Sequence, residues 1–126
     1  MKNEKILSLS EINVSPVKNT TKQKGVPVSL KNELPAILFL TSFPPRECGI
    51  ATYSQDLIGV LEDKFGSSFQ FLICPLENDS ERNIYDDERV EYALNTEQDN
   101  SYLKAAYRIN SNPLIELVFV QHEFGF

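Results

Sequence analysis

From Pro35 the chain runs Ala36-Ile37-Leu38-Phe39-Leu40-Thr41 without a charge, crosses Pro44-Pro45, and after Gly49 changes to a helical period. A strand apolar at nearly every position has no side to offer water, so both of its faces must be covered by other layers. The helix that follows supplies one such layer. Ile50, Tyr53, Leu57, Leu61 and Phe65 recur at three- and four-residue steps with Gln55, Asp56, Glu62 and Asp63 mostly opposite, and Gly66 is placed to end it.

The same alternation continues downstream. Phe69–Cys74 predicts a second strand ended by Pro75, and Glu77–Glu88 an acidic, solvated loop. Arg89–Leu94 alternates polar with apolar, as in a strand near an edge. Asp99 is placed to cap a helix through Tyr102, Leu103, Ala106, Tyr107 and Ile109, and Ile115–Gln121 predicts a last strand buried on both faces. The order β-α-β-β-α-β favours an α/β fold: a Rossmann-like, mainly parallel sheet with flanking helices. A ferredoxin-like sandwich has the same element order and is the rival topology.

Residues 1–34 are rich in Lys, Asn, Ser and Thr and poor in large apolar groups, which predicts a flexible tail ahead of one domain, 35–126. The tail carries six Lys against three Glu, and the rest six Lys and Arg against fifteen Asp and Glu. A net charge of -6 argues against nucleic-acid binding, which requires a basic face. The tail lysines are scattered, which fits a solvated segment better than a lipid-binding stripe and leaves peripheral membrane contact open. There is no apolar run long enough to cross a bilayer and no signal-peptide core, so the cytoplasm is the expected compartment. One His and two Cys do not supply spaced metal ligands, and no metal is expected.

Ligands in parallel sheets bind beyond the carboxyl ends of the strands. Two loops lie there, 42–49 and 122–126. The first delivers the chain to a helix amino terminus at Ile50, where free N–H groups and the helix dipole favour an anion, and Gly49 removes a blocking side chain. Neither G-x-x-x-x-G-K-[ST] nor G-x-G-x-x-G is present. His122, the only histidine, directly follows the last strand beside Glu123 and Gly125.

The strand into Ser42-Phe43-Pro44-Pro45-Arg46-Glu47-Cys48-Gly49-Ile50-Ala51-Thr52-Tyr53, with Gln121-His122-Glu123-Phe124-Gly125 after the last strand, resembles the start of family 4 glycosyltransferases of the GT-B fold. The likeness covers about residues 36–126 and is closest to a subgroup with P-P-R-x-C-G-I-A-T. It implies the acceptor-side part of a retaining glycosyltransferase, moving a sugar from a nucleotide-sugar to a carbohydrate or other hydroxyl acceptor without a cofactor. It places Arg46, Cys48, Gly49, Ile50, Glu123 and Gly125 near the donor and gives His122 the catalytic role of holding the transferred sugar. Cys48 stands where many members carry the first glycine. The resemblance also implies that the domain at 35–126 is incomplete at its carboxyl end and that a second domain, with a basic pair and an E-x7-E signature, lies outside these residues; without it the chain is expected to be inactive. The alternative is a non-catalytic Rossmann-like module that binds a sugar or a protein.

Overall fold

The computed structural model describes residues 33–122, so nearly all of the expected tail, together with Glu123 and Gly125, lies outside the described residues. The elements are β1 (Ala36–Thr41), α1 (Gly49–Phe65), β2 (Gln70–Glu77), β3 (Leu94–Asn95), α2 (Asp99–Ser111) and β4 (Ile115–Val120). They build one four-stranded sheet in the order β3-β2-β1-β4, and all three pairings are parallel. This is the expected Rossmann-like α/β architecture, and parallel pairing throughout excludes the ferredoxin-like alternative.

Strand alternation sorts β1 and β2 onto two faces. Phe39, Phe71 and Ile73 meet Ile58 of α1 on one face, joined by Phe43. Leu38 and Cys74 meet Leu94 and Ala105 of α2 on the other. The two helices therefore cover opposite sides of a sheet whose middle strands are apolar on both.

Three expectations need correction. Pro75 does not end β2; it lies inside the strand, opposite Thr41. The Ile73 N–H donates to Arg89 O on the β3 side, so by alternation the N–H that Pro75 lacks would also face that side. There β2 has a bridge at Val90 and regains a partner only when β3 begins opposite Leu76, so Pro75 falls in a gap where no ladder bond is lost. The same gap explains the second correction. The alternation in 89–94 does not make a strand, because Val90 packs toward the α1 cluster and Tyr92 toward the α2 cluster, and only Leu94–Asn95 pair with β2.

The third correction concerns β4. It sits at the sheet edge, so Leu117, Phe119 and Val120 stay largely exposed instead of being buried on both faces. In α2 the buried position is Ala105, with Ile109 partly buried, while Leu103 and Tyr107 face outward. Gly66 does cap α1, although not through a left-handed turn. Its φ is -65°, and a Cβ there would lie 2.5 Å from the Glu62 carbonyl oxygen, which accepts the Gly66 N–H at 2.8 Å.

Candidate functional site

The strand order reverses direction between β1 and β4, and in such sheets the crevice for a ligand opens beyond the carboxyl ends of those two strands. Because β1 and β4 are adjacent and parallel, the loop after Thr41 and the residues after Val120 emerge at the same end. Gln121 continues the ladder, donating its N–H to Leu40 O at 2.9 Å.

A buried chain of hydroxyls ties this end together. Ser54 Oγ donates to Gln121 Oε1 at 2.9 Å, and Thr41 Oγ1 lies 2.5 Å from Ser54 Oγ. With the Ser54 hydrogen engaged by Gln121, the Thr41 hydroxyl is left to donate toward Ser54 or toward Ser42 O, 3.1 Å away. Thr41 and Ser54 are fully buried and Gln121 half-buried, so the amino-terminal half of α1 is pinned to β1 by a bond shielded from water and to the end of β4 by a partly buried one. Composition alone did not single out these three residues. The available signal was Ser54, a polar residue in the helical seam beside Ile50, Leu57, Ile58 and Leu61.

The loop from β1 closes through an Arg46 N–H to Phe43 O bond of 3.2 Å, across a cis Pro44-Pro45 peptide. Cys48 then caps α1: its backbone is extended, and its Sγ accepts the Ala51 N–H at 3.4 Å. Thr52 N–H closes the first helical bond onto Cys48 O. The N–H groups of Gly49 and Ile50 are left among those that a helix cannot satisfy internally. A Cβ at Gly49 would meet nothing within 4 Å, so packing does not require glycine there. Gly49 is exposed and Ile50 half-buried.

His122 is exposed and follows directly on the anchored Gln121, at the same end of the sheet as Cys48-Gly49-Ile50. The two groups that the sequence pointed to therefore lie at the same end of the sheet.

Arg46 is paired with an acidic residue. Its Nη1 lies 3.0 Å from Glu81 Oε1 in the β2–β3 connection, with the Arg46 side chain largely buried. Nearby, Glu77 is a buried carboxylate, contrary to the expectation of a solvated acidic loop, and it accepts the Asn83 N–H at 3.0 Å. Burial, followed by a hydrogen bond to Glu77, raises the Tyr85 phenol well above its ordinary pKa, while the Arg46 charge opposes that shift. The rest of the loop is ordered by its own side chains. Asn78 Oδ1 accepts from the Ser80 and Glu81 N–H groups, and Asp79 accepts from Asn95 and Gln98; those bonds, Asn95 first, hold the Asp79 carboxyl below its usual range.

A separate crevice of about 220 Å³ lies on the α2 face, floored by Leu38 and Leu72 and rimmed by Tyr92, Arg108 and Ser111. The Arg108 guanidinium stacks 4.7 Å over the Tyr92 ring there. It belongs to the sheet face, and none of the motif residues lines it. Among the described residues no cluster of three or more His, Cys, Asp or Glu is gathered for a metal ion, and no helix is long and apolar enough to cross a membrane. No protein-family model matches the chain, and neither a curated protein nor a solved structure matches it significantly.

Proposed function

We propose that the chain is the acceptor-side, Rossmann-like part of a retaining glycosyltransferase that moves a sugar from a nucleotide-sugar to an acceptor hydroxyl. The supporting observation is the shared end of the sheet: the start of α1 at Cys48-Gly49-Ile50 and His122 both follow the carboxyl ends of β1 and β4, where the strand order switches. In this reading the Gly49 and Ile50 N–H groups, at the positive end of α1, face donor phosphate, and open space in front of Gly49 lets it approach. His122 hydrogen-bonds the sugar hydroxyls, orienting the anomeric carbon and helping to stabilise positive charge that develops there. Departure of a nucleoside diphosphate needs further cationic groups. Arg46 is already engaged by Glu81, so that work falls to the basic pair of a second domain.

Titrating the isotopically labelled chain with nucleoside diphosphates and nucleotide-sugars tests this. The expected outcome is that the Gly49 and Ile50 amides and the His122 ring respond together. His122→Ala should remove the extra response to the sugar while keeping that to the phosphates. Responses confined to the α2 crevice or to the acidic loop would overturn the assignment. Sugar transfer is expected only when the second domain is supplied, and transfer by the chain alone would contradict the division of labour.

One observation favours the alternative of a non-catalytic module. The Arg46–Glu81 pair and the acidic balance leave this rim with little positive charge for a diphosphate. A neutral sugar bound at the rim with no response to nucleotides would select that reading.

A further inference from the structure

We infer, resting on the glycosyl-transfer reading, that Gln121 is a further sugar-binding residue: its side-chain carbonyl is anchored inward by buried hydroxyls, and its NH2 group is left to donate to a sugar oxygen. Strand alternation sets the direction of the side chain. Phe119 packs on Phe39 with ring centroids 5.1 Å apart, and Phe39 belongs to the cluster beneath α1. Two residues on, Gln121 still follows the ladder through its N–H to Leu40 O, so its side chain lies on the same side as Phe119. Thr41, two residues past Phe39, lies on that side too. Ser54, one turn into α1 from Ile50, is bonded to both. Gln121 therefore reaches the helix that begins at this end of the sheet.

A hydroxyl has one hydrogen to give, and an amide carries its acceptor and its donors on different ends. Ser54 Oγ gives its hydrogen to Gln121 Oε1 at 2.9 Å. Two oxygens 2.5 Å apart need a hydrogen between them, so Thr41 supplies the one that joins it to Ser54. The bonds then run in a single direction, from β1 through α1 to the residue after β4. Both hydroxyls are fully buried, so water does not compete for them. Gln121 is half-buried, and among the described residues no acceptor meets its Nε2. With the carbonyl held inside, the two hydrogens of that nitrogen are the part of the side chain offered to a ligand beyond the carboxyl ends of β1 and β4. Thr41 and Ser54 act through Gln121 and are positioning residues.

The chemistry of this donor suits a neutral oxygen. An amide NH2 carries no net charge and selects by geometry, and it sits in a chain of net charge -6 whose nearby Arg46 is paired with Glu81. A phosphate is served by the N–H groups at the start of α1, and a hydroxyl of the attached sugar by Gln121. Two hydrogens on one nitrogen can also bridge neighbouring hydroxyls of a ring. Because the carbonyl is already fixed, little side-chain freedom remains to be lost when the sugar arrives.

Magnetic resonance of the side-chain NH2 of Gln121 in the full 126-residue chain tests this, first without ligand and then with UDP against UDP-glucose and GDP against GDP-mannose. In the free chain the NH2 protons should exchange with water as fast as those of an exposed amide. Slowed exchange would mean that the bonds run the other way, with Thr41 donating to Ser42 O, and overturns the proposal. The NH2 pair should respond to a nucleotide-sugar and not to its diphosphate. Gln121→Met, of similar length and without charge, should weaken nucleotide-sugar binding about fivefold and leave diphosphate binding unchanged. Ser54→Ala releases the anchor and should reproduce the same split with a smaller loss; a merely structural role would move both ligands together, and that result also overturns the assignment. If the Gly49 and Ile50 amides and His122 respond to the nucleotide-sugar while Gln121 does not, this assignment fails and the glycosyl-transfer reading stands. If none of them responds, that reading fails and the assignment falls with it.

Discussion

Cys48 holds the first turn of α1 with a sulfur, a weak acceptor, at the position where a hydroxyl or carboxylate caps best. Replacing it by Ser is expected to raise stability by roughly 0.5 kcal/mol and Cys48→Ala to lower it, read as a shifted urea midpoint at unchanged slope. Cys74 behaves differently because it is buried in the sheet. Burial raises its thiol from 9.0 to about 12, and burial likewise raises the Tyr92 phenol from 10.0 to about 12. The fold favours the neutral form of both groups, so their stabilisation is complete below pH 9 and is lost as pH rises toward 12, where the unfolded chain ionises first. Unfolding free energy should therefore fall across that window, and Cys74→Ala should flatten the decline; an unchanged slope would count against burial as its cause. At this scale the sequence exposed the Cys48–Gly49 turn and His122, because punctuation and position after a strand are local signals. It did not expose the Thr41–Ser54–Gln121 chain, because burial of a hydroxyl is decided by what packs over it.

Among the elements, α1 and the long connection after β2 are joined by one side chain. Arg89 donates to Asp87 Oδ1 and Oδ2 at 2.9 and 2.6 Å and to Glu62 Oε1 of α1 at 2.7 Å, while its carbonyl accepts from Ile73 of β2. All three side chains of the network are less than one-third exposed. Arg89→Ala should cost about 2–3 kcal/mol, since it removes the cation shared by two partly buried carboxylates. Asp87 supplies a pH signature: its hydrogen bond with Arg89 holds its carboxyl below the ordinary 3.8. That contribution is fully present above pH 3.8 and is lost as pH falls through the lower folded value, so the variant should show a weaker acid dependence in thermal melts over that range. β1 and β4 were legible from their apolar runs, and α1 and α2 from their helical period. β3 was not, because the alternation in 89–94 reports side chains shared between two cores instead of a ladder, and the extent of β2 past Pro75 depended on a gap in its neighbour.

For the molecule as a whole, fold class followed from apolar runs alternating with an amphipathic helix, but strand order did not. The exposed position of β4 could be reached only through the sheet, since an apolar hexamer reads alike at an edge and in the middle. Sheet topology also governs the order in which this chain can be built. β1, the first strand to be synthesised among the described residues, becomes an inner strand whose partners are β2 on one side and β4 on the other, with Ala36 paired to both Gln70 and Ile115. Parallel strands cannot join through a tight hairpin, so each pairing must await a long crossover. As the nascent chain emerges, β1 is obliged to wait for β4, and until β4 arrives its second flank is the edge on which misassembly would start.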